Sequence, residues 1–142
     1  MVHEIVIRLF AHATLYRMAL GREYGLNAFQ LLSVLLIGGN ETGVSMKALR
    51  ESLLIPGSSL TFTLDSLEKK GLIKKTRSRI DRRQWLLSLT AKGRRFYSTL
   101  VQRQTEAVML SLEKFSEQET AAFLKIAEEI SRAGEPVLPA KG

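Results

Sequence analysis

Four arginines, Arg77, Arg79, Arg82 and Arg83, lie between Thr76 and Arg83 against a single carboxylate, Asp81. Guanidinium groups this dense do not suit a packed element and offer more donors than an ordinary hairpin needs, so the segment reads as a solvated loop that binds anions. Elsewhere little competes with that chemistry. Cysteine is absent, which excludes disulfides, cysteine zinc sites and thiol switches. The two histidines, His3 and His12, stand nine residues apart and do not share a close helical edge, so no zinc site is expected. With no histidine outside the first helix, no glycine-rich phosphate loop and no paired carboxylates at a cleft, an enzyme is the weakest reading, and no cofactor is expected.

The loop needs a frame. Upstream, Leu60, Leu64 and Leu67 recur at helical spacing, and Lys69 and Lys70 precede Gly71, so a helix ends with cations at its negative pole and a residue suited to the left-handed cap. Leu72 and Ile73 then start a short run that turns polar at Lys74. Trp85, Leu87 and Leu89 alternate with Gln84, Leu86 and Ser88 in a second run. Two antiparallel strands around a basic loop fit this pattern.

The remaining elements are helical. Val2 to about Leu20 carries apolar residues on more than one face, which predicts burial on two sides, most simply by a partner subunit; Gly21 to Gly25 is the expected connection. Asn27 with Gln30 forms a capping box, with Leu26 and Leu31 as a hydrophobic staple, for a second helix over about Ala28–Ile37. Ser45 caps a short third helix to about Leu53, Ile55-Pro56-Gly57 turns, and a fourth begins near Ser58; the third and fourth form a helix-turn-helix. Thr90 caps a long fifth helix to about Lys114, and Ser116 with Glu119 opens a last one. Residues 134–142 are expected to be a flexible tail.

Composition bounds the partner. At 142 residues the chain suits one domain or one subunit of a small oligomer. A formal charge of +7 favours an acidic partner, nucleic acid or an anionic surface. Of the 21 lysines and arginines, eleven lie between Lys69 and Arg95, whereas acidic residues outnumber basic ones from Glu106 onward, so the positive charge is local. An anionic membrane binder would not explain that confinement. The longest near-continuous apolar segment, Leu31–Ile37, is far too short to span a bilayer, and a cytoplasmic location is expected.

Asp81, Arg83, Leu87, Leu89 and Thr90 fit D-x-R-x3-L-x-L-T, which resembles the wing signature of the MarR family of bacterial transcription regulators. The preceding Leu67-Glu68-Lys69-Lys70-Gly71-Leu72-Ile73 is similar to that family's helix-to-wing junction. The likeness is close over Leu26 to Gly93 and extends to the flanking helices in pattern only. It implies a mainly α fold with a small two-stranded β-wing: a winged helix-turn-helix lobe over residues 27–89, with dimerisation helices at 1–21 and 91–133. It also implies a homodimeric regulator, most often a repressor, that binds a pseudo-palindrome in double-stranded DNA and is nucleoid-associated when bound.

In that frame the fourth helix reads DNA. With Leu60, Leu64 and Leu67 inward, Ser58, Ser59, Thr61, Phe62 and Asp65 fall on or near its outer face, with Lys69 at its end. Phe62 stands where the family more often has a polar or basic side chain; it either contacts thymine methyls or packs into the core beneath the wing. In the wing, the resemblance implies that Asp81 pairs with arginine as a brace while Arg82 or Arg83 reaches a minor groove. Arg83 is assigned to that brace or to a nearby phosphate and Arg82 to the tip, an order open to reversal. Lys74, Lys75, Arg77 and Arg79 are phosphate contacts by number and place, or a solvated basic face. Trp85 is expected as a strand residue packed on the reading helix rather than as a base-stacking platform. Relatives often hold small phenolic or carboxylic effectors, which makes His12, Tyr16 and Arg17 pocket candidates beside the alternative of an ordinary dimer contact. A different class of function, a winged helix for protein contact or an antagonist of another regulator, would suit an exposed Phe62 but not four wing arginines.

Overall fold

The computed structural model describes residues 1–133; the expected tail lies outside the described residues. Six helices and a small sheet follow the order α1 (Val2–Glu23), α2 (Ala28–Gly38), β1 (Val44–Ser45), α3 (Met46–Leu53), α4 (Gly57–Lys69), β2 (Ile73–Arg77), β3 (Trp85–Leu89), α5 (Ala91–Leu112) and α6 (Glu117–Ala133). The chain divides into two compact units, Met1–Thr99 and Leu100–Gly142.

In the first unit, α2 packs against α1, α3, α4 and β3. Its start is set by the reciprocal cap: the Gln30 amide donates to Asn27 Oδ1 and the Asn27 amide to Gln30 Oε1, both at 2.9 Å. Gln30 is itself buried, and its Nε2 donates to Ser66 Oγ, so the cap of α2 also ties it to α4. Leu31, Val34 and Ile37 from α2 meet a core that also takes Leu49 of α3 and Leu60, Leu64 and Leu67 of α4, each buried leucine contributing roughly 1.5–3 kcal/mol.

The sheet differs from expectation in having three strands, ordered β1-β3-β2, all antiparallel. The extra strand pairs Val44 with Leu87 and Ser45 with Leu86. Two residues are too few to show alternation, and Ser45 already served as the cap of α3, which it is: the Ala48 amide donates to Ser45 Oγ. A second difference lies at α1, which continues through Gly21 to Glu23. There the Leu26 amide donates to Gly21 O at 2.7 Å, and a Cβ at Gly21 would sit 2.7 Å from Leu26 O, so this glycine serves a close return of the chain rather than a break. Most of the apolar side chains of α1, among them Ile5, Leu9, Phe10 and Leu15, are exposed.

Thr90 caps α5 through the Gly93 amide and also donates to Gly71 O, joining the end of α4 to the start of α5. Gly71 has φ +71°, the left-handed cap that the Lys-Lys-Gly sequence predicts. In the second unit, α6 opens with the Ser116 and Glu119 box: the Ser116 amide and hydroxyl both donate to Glu119 Oε2 and the Glu119 amide donates to Ser116 Oγ. Those hydrogen bonds lower the Glu119 pKa. Val108, Met109, Phe115, Phe123, Ile126 and Ile130 are exposed. No helix among the described residues is long and apolar enough to cross a membrane.

Candidate nucleic-acid interface

The reading helix and the wing hang from one scaffold. β2 packs against α4 and pairs with β3 in a register running from Ile73 opposite Leu89 to Arg77 opposite Trp85. Ile73, Leu87 and Leu89 are buried, so the lobe end of the hairpin is anchored while its far end projects.

On α4, Leu60, Leu64 and Leu67 face inward as their spacing requires, and Ser58, Ser59, Thr61, Phe62, Asp65 and Lys69 are all exposed. Phe62 is 73% exposed, which removes the reading that packs it beneath the wing. Thr61 Oγ1 donates to Gly57 O at 3.0 Å, leaving its lone pairs but not its proton for a partner. No charge occurs from Gly57 to Leu64, and the helix begins without a side-chain cap, so its first-turn amides remain available to an anion.

Asp65 and Lys75, both expected to face a ligand, face each other instead. Lys75 Nζ lies 2.5 Å from Asp65 Oδ1 and 3.1 Å from Glu68 Oε2, with only 18% of its side chain exposed. Desolvation pulls the Lys75 pKa down, but hydrogen bonds to Asp65 and Glu68, together with the charges of both carboxylates, outweigh it and leave the pKa raised. The ammonium therefore clamps β2 to α4, a pairing that the phosphate role expected of Lys75 does not include. Helical and strand spacing cannot show this pair, because it joins two elements ten residues apart.

The wing loop is a built turn. The Ser78 amide donates to Gln84 O, the Gln84 amide to Asp81 O, and Ser78 Oγ accepts from the amides of Ile80 and Asp81. Ser78 is buried and was missed in the sequence; a hydroxyl at the first loop position, able to fold back on amides two and three residues later, is the signal that could have found it. Asp81 braces the loop through amides: Oδ1 accepts from the Arg83 backbone N–H at 3.0 Å and Oδ2 from Gln84 Nε2 at 3.3 Å. This corrects the expected pairing of Asp81 with an arginine side chain, since the carboxylate sits within its own turn where the amides are nearest.

Arg77 supplies the guanidinium brace instead. Its Nη1 donates to Arg82 O at 3.2 Å and to Arg83 O at 3.5 Å, and its Cζ lies 3.9 Å from the centroid of the Trp85 ring. Trp85 is 37% exposed, with its ring beneath that cation. The alternation that buries Leu87 and Leu89 reaches Trp85 where the hairpin leaves the core. Arg79, Arg82 and Arg83 are exposed on the loop with Lys74 at its base, and Ile80 at the tip is fully exposed. A cluster of guanidinium groups on a braced loop, in the same lobe as an uncapped helix terminus, can bind a polyanion at several points.

The three pocket candidates lie together on one helix. His12, Tyr16 and Arg17 are all exposed on α1. Arg17 borders a cavity of about 60 Å³ with Thr14, Met18, Ala28, Leu31 and Leu32, whereas His12 and Tyr16 are not among its lining residues. Among the described residues, no three His, Cys, Asp or Glu side chains are grouped to hold a metal ion.

Residues 24–84 match the sequence profile of the MarR family. The chain is 29% identical over 102 residues to an uncharacterized HTH-type transcriptional regulator, YfiV, of Bacillus subtilis strain 168; the match covers 72% of this chain and 64% of the relative's length. Streptococcus pneumoniae FabT, solved in complex with DNA, superposes with a TM-score of 0.76 at 23% identity, covering 92% of this chain and 93% of that one. A MepR variant from a multidrug-resistant S. aureus isolate gives 0.79 at 16% identity, covering 92% and 96%. The profile match falls on the lobe that carries the wing, and the superpositions show that the chain shares the fold of these structures.

Proposed function

We propose that this protein is a sequence-specific DNA-binding transcription regulator, most simply a repressor, that acts as a homodimer on a pseudo-palindromic operator. The observation that carries the reading is the pairing of a braced, arginine-rich wing with an exposed, uncapped reading helix in one lobe. Two α4 helices enter successive major grooves, with half-site centres ~10 base pairs apart, and the wings reach the flanking minor grooves. Arg79, Arg82, Arg83, Lys69 and Lys74 neutralise phosphate or enter a narrow groove, and the α4 amides with Ser58 and Ser59 hold a phosphate at the helix start. FabT, a structural neighbour, is seen bound to DNA, which supports the same use of this lobe.

Dimerisation falls to the terminal helices. The exposed apolar side chains of α1 and of α6 are more than a monomer leaves in water without a partner. A small phenolic or carboxylic effector acting through α1 and α2, with Arg17 as its cationic anchor, would shift binding only by its differential affinity for the two arrangements of the reading heads. The second reading, a winged helix that binds protein, draws on the exposed Phe62 and is opposed by the wing arginines.

The test is titration of purified protein into its own upstream intergenic DNA and into an unrelated fragment, at two salt concentrations. Preference for the upstream fragment with a log-log salt slope near about −7, the value for about eight phosphate contacts per dimer, supports the regulator. Equal, weak binding to both fragments turns the assignment toward a protein partner.

A further inference from the structure

Resting on the DNA-binding reading above, we infer that Phe62 determines specificity by packing its ring on thymine C5-methyl groups in the major groove, so that each operator half-site carries an A·T pair opposite it. The argument runs through what α4 has left to read with. Arginine, asparagine and glutamine are absent from Gly57–Lys69, and the one lysine, Lys69, is the last residue of the helix, away from the amino-terminal turns that face base edges. Asp65, which could accept from cytosine, is held by Lys75, as is Glu68. The Thr61 proton is committed to Gly57 O. Ser58 and Ser59 sit in the first turn, beside the free amides, where a phosphate is the natural partner.

Phe62 stands one turn further in, on the same face as Ser58 and Ser59, and is the largest side chain exposed there. Its ring borders an open depression of about 390 Å³ with Asn27, Phe29, Ser58, Ser59 and Thr63. An apolar ring 73% exposed to water, flanked by cations that hold a duplex against it, gains most from the one apolar feature of the major groove, the thymine methyl.

The experiment enriches duplexes from a random library with the wild-type protein, then replaces each dT of the enriched site with dU, which deletes only the methyl group. Removing the contacted methyl should weaken wild-type binding about 4-fold in one half-site and about 15-fold in both, the effect expected for one buried methyl per contact. Phe62→Ala should bind the dT and dU duplexes equally, and Phe62→Leu should restore part of the preference. Because the ring is exposed, both variants should match the wild type in far-ultraviolet circular dichroism and unfolding midpoint. A dU effect that is absent, or the same size in Phe62→Ala, overturns the assignment while leaving DNA binding intact. Unchanged affinity and an unchanged enriched sequence in Phe62→Ala also overturn it and point the ring at a protein partner. Failure of the wild type to enrich any sequence removes the regulator reading itself, so the two failures are distinguishable.

Discussion

From Gly57 to Leu64 no residue of α4 is charged, and the carboxylates that follow, Asp65 and Glu68, are both bound by Lys75. Along the wing, Arg79, Arg82 and Arg83 are exposed, while the one carboxylate, Asp81, is taken up by the Arg83 amide and by Gln84. Two surfaces of one lobe thus handle charge in opposite ways, the helix cancelling it internally and the wing projecting it. Phosphate neutralisation is strong, salt-sensitive and blind to sequence, whereas contact with base edges is weaker, insensitive to salt and selective. In the proposed DNA complex, affinity and discrimination then fall to separate elements, and each should be removable without the other.

The two surfaces have one support, and the largest effect follows from removing it. Leu64 is fully buried under α4, so Leu64→Ala should cost roughly 2–5 kcal/mol of stability, measured by denaturant unfolding. Helix and wing should then fail together. Loss of sequence preference with the wing's salt-dependent binding intact would show that the wing folds without the lobe.

Next in size is the wing itself. Arg82→Ala with Arg83→Ala removes four cations per dimer, which should weaken binding by more than ~1 kcal/mol and reduce the salt slope from about −7 to about −4. The enriched sequence should persist at low salt, and the unfolding midpoint should not move, because both side chains are exposed. An unchanged affinity would sink the wing assignment.

A smaller effect separates holding the wing from contacting DNA with it. Arg77 is tied to the Arg82 and Arg83 carbonyls and stacked on Trp85, so Arg77→Ala should weaken binding by about 0.5–1 kcal/mol by loosening the tip. Arg77→Lys keeps the charge but not the planar stack and should fail to restore affinity. Trp85 is the sole tryptophan, so its emission should shift in both variants without DNA present. Full rescue by lysine would return Arg77 to the phosphate contacts.

These brace partners are where sequence reasoning ran out. Capping residues were legible because their signals are local: Asn27 with Gln30, Ser45, Thr90, and Ser116 with Glu119 each act within three residues. The inward leucines of α4 were legible because helical geometry dictates their face. The wing was legible as a basic loop between two strands, but who holds whom within it was not. Five residues separate Arg77 from Arg82, ten separate Asp65 from Lys75, and those pairings depend on hairpin register, which the sequence leaves open among several cations of equal reach. The two-residue β1 was hidden for a related reason, since its pairing with β3 is across the chain and its own pattern is too short.

The smallest effect has the opposite sign to the wing variants. Asp65→Ala removes one partner of Lys75 and leaves Glu68 at 3.1 Å, so the ammonium becomes partly available to phosphate and a repulsive carboxylate is lost. The salt slope should steepen by about 1, with the enriched sequence unchanged. Stability should fall by no more than about 0.5–1 kcal/mol, because half of the Asp65 side chain is exposed and solvent screens the pair. The pH dependence carries the same sign. With its pKa raised from 10.5, Lys75 stabilises the fold fully below that value and loses the contribution as pH rises through the folded-state pKa. The difference in unfolding midpoint between wild type and Asp65→Ala should therefore be constant at neutral pH and shrink only as the pH climbs past the ordinary lysine value of 10.5. A salt slope that stays fixed while the enriched sequence changes would make Asp65 a base reader, and the helix would then project charge as the wing does.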